Sequence, residues 1–191
     1  FLSQSKKDFV KTLLPLISYQ NQNILLERSK LEELRVSLTN NNTLSKSNLK
    51  FLNKISKKYR IKTENKHKYD LVNELLNRVD IIPNSIVLAQ AANESGWGTS
   101  RFAREFNALF GEYTYDYSDG VVPLLRKEGE KHLVKTFTSV DKSVQSYFKN
   151  LNSHYAYKDF RAVREIMRKK NNFSNIKLLD KELDSYAADI N

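Results

Sequence analysis

Glycine and proline are scarce in this chain: five Gly and three Pro stand among 191 residues. Folds built from many short strands and tight turns need these two residue types, so their scarcity argues against an all-β or loop-rich design. Hydrophobic residues make up 40% of the sequence, which is enough to bury a core and excludes wholesale disorder. The sequence therefore predicts a helix-dominated chain, either one ordinary domain or a compact domain with a helical extension.

The first 79 residues carry apolar side chains at helical spacing, with Lys, Arg and Glu between them. Pro15 is expected to kink the first helix or to start a new one. Further helices are predicted around residues 47–59 and 68–78. No motif of catalytic chemistry occurs here. We interpret residues 1–79 as a helical N-terminal extension, either a brace packed on a catalytic core or a surface that docks on a partner or on the cell wall.

Residues 80–191 show a different pattern, in which a small antiparallel sheet is expected between helices. Pro83 marks a helix start, and glycines near position 96 mark its end. The predicted elements are helices over 86–94 and 100–106, strands over 113–117, 121–125 and 133–137, and helices after Ser139, around Phe160 to Ile166 and over 176–188. Helices around a hairpin sheet make a predominantly helical α+β fold.

The chain is strongly basic, with 32 Lys and Arg against 22 Asp and Glu and a formal net charge of +10. Such an excess favours polyanionic partners, namely nucleic acid, an anionic membrane surface or the anionic bacterial wall. A solvated, Lys-rich surface explains the charge equally well. There is no cysteine, and no apolar run approaches the roughly 20 residues that span a bilayer. The sequence opens at Phe1 rather than Met, so an upstream signal or anchor segment is compatible with it.

Glu94 is the first candidate for catalysis. Helical intervals place it on one face with Val87 and Ala91, so its carboxyl is expected to leave a largely apolar surface. A carboxyl held against such a surface keeps its proton more readily, which is what a general acid needs near neutral pH. The alternative is a surface Glu at a helix C-terminus, a position that the helix dipole disfavours by a few tenths of a kcal/mol to about 1 kcal/mol.

Glu94 is followed at once by Ser95-Gly96-Trp97-Gly98. The two glycines allow the backbone and a substrate to approach closely. Trp97 offers a broad aromatic face, on which the C–H faces of a sugar ring pack well. Acid, glycines and indole together indicate a site for a glycan.

Two runs carry a resemblance to glycoside hydrolase family 73: LAQAANESGWGTSRFA at residues 88–103 and NALFG at residues 107–111. Within that family the chain looks most like the Bax-type bacterial branch. The family includes the flagellar rod-cap peptidoglycan hydrolase and many autolysins. Further short motifs, from Gly120 to Arg161, agree in order, so the resemblance covers roughly residues 80–165.

The resemblance implies a lysozyme-like α+β domain over residues 80–191 that hydrolyses the β-1,4 bond after N-acetylglucosamine in peptidoglycan. By position, Glu94 matches the family's general acid, and Tyr157 matches a tyrosine beside that acid. The family's second carboxylate lies on the hairpin, where Glu128 is the first choice. The alternatives for this second carboxylate are Glu130, Glu112 and Asp119.

Three mechanisms stay open for this pair. An inverting pair of carboxyls stands roughly 6.5–9.5 Å apart and activates water, whereas a retaining pair stands about 5–5.5 Å apart and forms a covalent intermediate. The N-acetyl group of the substrate can assist in place of the second carboxylate.

Other residues are candidates for substrate contact. Phe102, Phe106 and Phe110 share helical spacing and are expected in the core, although Phe110 is also kept as a substrate contact. Tyr147 fits core and cleft equally. His154 orients groups at the cleft or is a structural histidine. The full set of candidate substrate contacts is Trp97, Gly98, Phe110, Tyr113, Tyr115, Tyr147 and His154.

No cofactor or metal is predicted, because the three histidines are far apart and show no ligand spacing. The predicted partner is a peptidoglycan glycan strand, with no nucleic acid, and with the membrane only through an upstream anchor or signal. A monomer in the bacterial cell envelope, periplasmic or secreted, is expected. Two alternatives remain, a lytic transglycosylase or muramidase on peptidoglycan and a non-catalytic, basic wall-binding module.

Overall fold

The computed structural model describes residues 3–40, 43–123, 126–173 and 176–189, and it describes the side chains of the last helix as far as Leu183. The helices in these ranges are α1 (Gln4–Thr39), α2 (Lys46–Lys58), α3 (Lys68–Arg78), α4 (Asn84–Ser95), α5 (Arg101–Phe106), α6 (Val140–Ser153), a 3-10 helix (Tyr155–Tyr157), α7 (Lys158–Lys169) and α8 (Lys177–Asp189). The strands are β1 (Tyr113–Thr114), β2 (Gly120–Val121) and β3 (Leu133–Lys135). The predicted α+β class, predominantly helical with a small sheet, is confirmed.

Capping side chains explain several of these boundaries. Ser45 accepts a hydrogen bond from the backbone N–H of Asn48 at the start of α2, and Ser100 accepts one from Ala103 at the start of α5. Gly96 ends α4 in the left-handed conformation, with φ of 57°. These are local signals, which is why α2, α3, α4 and α5 were predicted close to their observed bounds.

The first helix, α1, is 36 residues long and continues through Pro15, where a kink or the start of a new helix was expected. A proline inside a helix lacks the N–H that would bond to the preceding turn. Pro15 is itself exposed, whereas Leu13 and Ile17 on either side of it are buried. Burial of these neighbours offsets the missing hydrogen bond, and the prediction of a new helix at Pro15 is wrong.

The chain forms two compact units, each made of two separate stretches. The first unit contains Phe1–Gln20 and Pro83–Phe148, and the second contains Asn21–Ile82 and Lys149–Asn191. Each has its own buried hydrophobic side chains, such as Val87 and Phe148 in the first and Leu71 and Phe160 in the second. The predicted domain boundary after residue 79 remains a prediction.

The small sheet belongs to the first unit, and its strand order is β1-β3-β2 with both pairs antiparallel. Tyr113 is paired with Val134, and Gly120 with Lys135. A β-carbon at Gly120 would lie 2.7 Å from Cβ of Leu133, so only glycine fits this register. The strands are shorter than predicted, and Leu124 and Leu125, which were assigned to the second strand, lie outside the described residues.

In the second unit, Arg164 of α7 is fully buried in a cradle of oxygen atoms. Its guanidinium donates to the carbonyl groups of Asn77, Arg78, Asp80 and Ile81 at 3.1–3.2 Å and to Oδ1 of Asn152 at 2.6 Å. Burial lowers the pKa of Arg164 to about 10, so the group still carries its charge at neutral pH. The cradle therefore holds a buried positive charge.

The negative charge that balances it is Asp80, whose side chain is only 3% exposed. Arg168 donates to both carboxylate oxygens of Asp80, with Nε 3.0 Å from Oδ2. A nitrogen of Arg28, on α1, lies 3.4 Å from the same carboxylate. One buried carboxylate thus connects α1, the segment after α3, and α7.

Replacing Asp80 by Asn should lower the free energy of unfolding by about 3–5 kcal/mol, because it leaves the buried charge of Arg164 and the partly buried charge of Arg168 without their counter-charge. Chemical denaturation followed by circular dichroism measures this loss. Glu165→Gln is the control: it removes the ion pair with Lys169, whose side chain is 72% exposed, and keeps an amide oxygen that can accept the hydrogen bond of Asn77. It should cost no more than about 1 kcal/mol. Equal losses in the two variants would contradict the assignment.

Candidate active site

Glu94 lies in the last turn of α4, directly before a left-handed turn of three residues. Gly96, Trp97 and Gly98 have φ values of 57°, 60° and 77°. Positive φ is easy for glycine but costly for a tryptophan, and such strain persists only where the surroundings enforce it. The turn at the end of α4 is therefore a built feature of the candidate site.

Ser95 holds this turn from inside. Its side chain is fully buried, its Oγ donates to the carbonyl of Ala91 at 2.5 Å, and the same oxygen accepts from the N–H of Gly98 at 2.8 Å. The N–H of Trp97 bonds to the carbonyl of Ala92 at 2.8 Å. The serine after Glu94 is thus a structural brace of the turn.

The start of α1 holds the turn from outside, within the same unit. The ring of Phe9 meets the Trp97 ring edge-on at 5.7 Å between centroids, and Nζ of Lys6 lies 4.6 Å from the Trp97 ring centre. A β-carbon at Gly98 would lie 3.1 and 3.2 Å from two ring carbons of Phe9. The space beside Gly98, which was expected to let a substrate approach the backbone closely, is therefore occupied by the side chain of Phe9 from α1.

Gly98→Ala should lower the free energy of unfolding by about 1–3 kcal/mol, through its positive φ and through the contact with Phe9. Gly129→Ala is the matched control, because Gly129 also has positive φ but has no atom within 4 Å of an added β-carbon. It should cost less. Thermal unfolding of both variants, alone and combined with Phe9→Ala, isolates the contact. If Phe9→Ala does not reduce the difference between the two variants, the contact is not the cause.

The carboxyl of Glu94 is exposed, which corrects the expectation that it is held against an apolar surface. Val87 and Ala91, on the same face, are buried as predicted. Glu94 stands about two turns beyond Val87, at the end of the helix, where the covering core stops. One carboxylate oxygen of Glu94 lies 3.1 Å from the position that a β-carbon would take at Gly111. The acid is therefore open to solvent and faces the backbone that leads into the sheet.

The segment before Gly111 is fixed to the rest of the unit by ring stacking and a hydrogen bond. Phe110 and Tyr147 are both buried, and their rings stack at 4.1 Å and 14°. Nδ2 of Asn107, a residue with φ of 54°, donates to the carbonyl of Phe137 at 3.0 Å. Phe110 is thus in the core, and Tyr147 lies in the core rather than on an open surface. The predicted sugar contacts of these two rings stay predictions.

Two of the candidate second carboxylates lie on the loop between β2 and β3. Glu128 is exposed at the turn that the N–H of Glu130 closes onto the carbonyl of Lys127. A carboxylate oxygen of Glu130 accepts from the N–H of Lys127 at 3.2 Å and lies 3.8 Å from Nδ1 of His132. The carboxylate of Glu128 makes no hydrogen bond or ion pair with a described residue.

Of the other two candidates, one directly follows Gly111 and the other directly precedes β2. Glu112 follows Gly111 directly, is half-buried, and accepts a hydrogen bond from Oγ of Ser146 at 2.7 Å. Asp119 accepts one from Oγ1 of Thr114 at 2.8 Å and lies 3.7 Å from Nζ of Lys135. Glu112 is therefore the candidate that directly follows Gly111, the residue that faces Glu94.

The tyrosines of the sheet region are open to solvent. Tyr113, Tyr115 and Tyr117 are 56%, 76% and 73% exposed. The ring of Tyr113 lies 4.6 Å from that of His132, which keeps it in a defined position. Exposed, amphipathic rings are suited to contact a sugar through their faces and hydroxyl groups.

Tyr157 and His154 belong to the second unit. Nδ1 of His154 accepts the N–H of Ala156 at 3.4 Å, and its ring meets Tyr157 edge-on at 6.3 Å. Burial, together with the nearby charges of Arg60 and Arg161, lowers the pKa of His154. A neutral imidazole is the form that can accept this hydrogen bond, so His154 caps the 3-10 helix. The role of Tyr157 beside the acid stays a prediction.

The residues that sequence reasoning missed are Lys6, Phe9 and Ser146, and it gave Gly111 no role beyond its place in the run NALFG. Each contacts a predicted site residue or its neighbour from a distant part of the chain. No spacing within one helix or strand could indicate them. Gly98 was a partial signal, because a glycine beside a tryptophan indicates that another group packs closely against the backbone.

Neither a membrane-spanning helix nor a cluster of metal ligands occurs in the described ranges. Each helix there is too short or too polar to cross a bilayer. Among those same residues, no three His, Cys, Asp or Glu side chains are grouped so that they could hold a metal ion.

An exposed carboxylate at a helix end, beside a small sheet that bears tyrosines, is a site suited to acid–base work on a glycan. The comparisons with known proteins agree. The glucosaminidase model, described as mannosyl-glycoprotein endo-beta-N-acetylglucosaminidase, matches residues 69–191. The chain belongs to this glucosaminidase family of glycoside hydrolases.

The chain is also similar to the protein named bax of Escherichia coli (strain K12). The two are 39% identical over 164 residues, which are 86% of this chain and 57% of that protein. The chain thus spans little more than half the length of this relative. No solved structure matches the chain. The resemblance to glycoside hydrolase family 73 and to its Bax-type branch is confirmed.

Proposed function

We propose that this protein hydrolyses the β-1,4 bond after N-acetylglucosamine in peptidoglycan, with Glu94 as the general acid. The observation that carries the proposal is the position of Glu94, held at the end of α4 by a strained turn and facing Gly111. Membership of the glucosaminidase family supports the bond type. Peptidoglycan as the glycan, and a place in the bacterial cell envelope, follow from the resemblance of residues 88–111 to wall hydrolases.

The exposure of Glu94 affects how the acid would work. In the free protein its carboxyl is in contact with water. A bound sugar would exclude that water and favour the uncharged form, which can donate a proton to the leaving oxygen. The absence of a side chain at Gly111 leaves room for the sugar beside the carboxyl. Substrate binding and activation of the acid would then be one event.

A second carboxylate completes an inverting mechanism by activating water. Glu128 remains the first choice from the resemblance, and its exposed turn lets it approach a bound substrate. Glu112 is the alternative that local placement favours, because it follows Gly111 and Ser146 orients its carboxylate. Tyr157 is proposed to contact the substrate near the reacting bond, as the resemblance implies.

Glu94→Gln should preserve folding and reduce hydrolysis of purified peptidoglycan by at least about two orders of magnitude, the usual scale for a general acid. The substitution removes the transferable proton and little else. Release of soluble glycan measures the rate, and mass spectrometry of the products identifies the bond. Reducing N-acetylglucosamine ends support the proposal, whereas anhydro-muramic ends indicate a lytic transglycosylase and reducing muramic ends a muramidase. Near-normal activity in the folded variant would remove Glu94 from the mechanism.

Glu128→Gln and Glu112→Gln separate the two candidate bases. If Glu128 is the base, its variant should keep its melting temperature, because surface substitutions usually stay within about 0.5 kcal/mol, and should lose most activity. Glu112→Gln should then be active. The reverse result assigns the role to Glu112. Glu130→Gln, on the same turn as Glu128, is the control and should be active. Full activity in these three variants and in Asp119→Asn would indicate assistance by the N-acetyl group of the substrate.

A further inference from the structure

The positive charge of this protein is concentrated in one segment. Residues 46–68 contain nine Lys and Arg and a single Glu, a net charge of +8, against +10 for the whole chain. The other residues together are close to neutral. A Lys-rich composition spread over the whole surface does not explain this pattern.

Within the segment, α2 orders four lysines on one face. At 100° per residue, Lys46, Lys50, Lys54 and Lys57 fall within an arc of roughly 80°. We call these four residues the α2 lysine row, and all four are exposed. The opposite face carries Leu52, Ile55 and Ser56, which are buried in the second unit. The row therefore points away from the core of its unit.

Among the described residues, the α2 lysine row has no ion-pair partner. None of its four side chains forms an ion pair with any side chain in the described part of the chain, whereas the neighbouring Lys58 pairs with Glu27 at 2.6 Å. Like charges four residues apart destabilise a helix by about 0.2–0.5 kcal/mol a pair. The row thus weakens its helix slightly, and no ion pair with a described side chain offsets that cost.

We propose that the α2 lysine row is a docking surface for peptidoglycan, through the carboxylates of its peptide stems. The proposal rests on the proposed function for its choice of polymer. Successive lysines of the row rise about 4.5–6 Å along the helix, so a polyanion lying along α2 meets a positive charge at each step. Binding to such a polymer is driven by release of counterions and weakens as salt rises.

The other polyanions fit α2 less well. A helix that binds a membrane surface buries its apolar face in the bilayer, whereas the apolar face of α2 is buried in its own unit. Single-stranded nucleic acid is held by exposed aromatic rings between basic groups. The one aromatic ring within α2, Phe51, is half-buried beneath Lys30.

Co-sedimentation with purified peptidoglycan sacculi, over a range of NaCl concentrations, tests the proposal. Both sets of substitutions are made in the Glu94→Gln protein, so that the sacculi are not digested. The test variant changes the four lysines of the α2 lysine row to Gln. The control variant makes the same change of charge at four exposed lysines elsewhere: Lys11, Lys142, Lys149 and Lys170.

The test variant should bind sacculi roughly tenfold or more weakly at about 50 mM salt and with a flatter salt dependence, while the control variant binds like its parent. Equal weakening of the two variants overturns the proposal. So does a larger loss of binding to phosphatidylglycerol vesicles or to single-stranded DNA than to sacculi, which would assign the row to those partners. If the test variant does not fold, Lys50→Gln with Lys54→Gln repeats the test with half the charge change.

A hydrolysis assay separates this proposal from the proposed function. With Glu94 intact, the four substitutions should leave the rate on short, peptide-free glycan fragments unchanged and should slow the digestion of sacculi. If no variant hydrolyses any glycan but the binding pattern holds, the proposed activity fails and the docking surface stands. If hydrolysis occurs and the binding of sacculi does not depend on the row, the docking surface fails and the activity stands.

Discussion

The buried carboxylate of Asp80 is the constraint on which the second unit depends. It lies against Arg28 and Arg168, and the fully buried Arg164 sits in the adjacent cradle of carbonyl oxygens. Charged hydrogen bonds are directional, and their loss leaves a desolvated charge, so the network permits one arrangement where apolar packing would permit several. The chain is fixed here just before it leaves the unit at Ile82, whose backbone pairs with the side chain of Asn21.

A second constraint shapes the candidate site. Three consecutive residues with positive φ follow α4, and one of them is Trp97. The strain is held by Ser95 from within and by Phe9 from α1, so the end of α4 is defined where Glu94 needs a fixed position. The result is a positioned but exposed acid. Its apolar environment would have to come from the substrate, which fits a hydrolase that acts on a large polymer and not a small buried ligand.

The two proposals place catalysis and attachment to the polymer in different parts of one small protein. Chemistry is placed at Glu94 in the first unit, and attachment to the polymer is placed at the α2 lysine row in the second. A hydrolase of an insoluble wall gains from this division, because attachment raises the local concentration of bonds without changing the transition state. The concentration of charge in residues 46–68 then has a function of its own, separate from the family's chemistry.

The sequence by itself determined the helices, their caps, the α+β class and the family, because these depend on local spacing and on short runs such as residues 88–111. Only the tertiary structure decided the rest. Pro15 did not end α1, since burial of Leu13 and Ile17 offset its lost hydrogen bond. Glu94 is exposed although it shares a helix face with buried residues. The sequence could not show this, because helical spacing defines a face but not how far the core extends along it. The ring of Phe9 packs against Gly98. These two residues are far apart in the chain, and only folding brings them together.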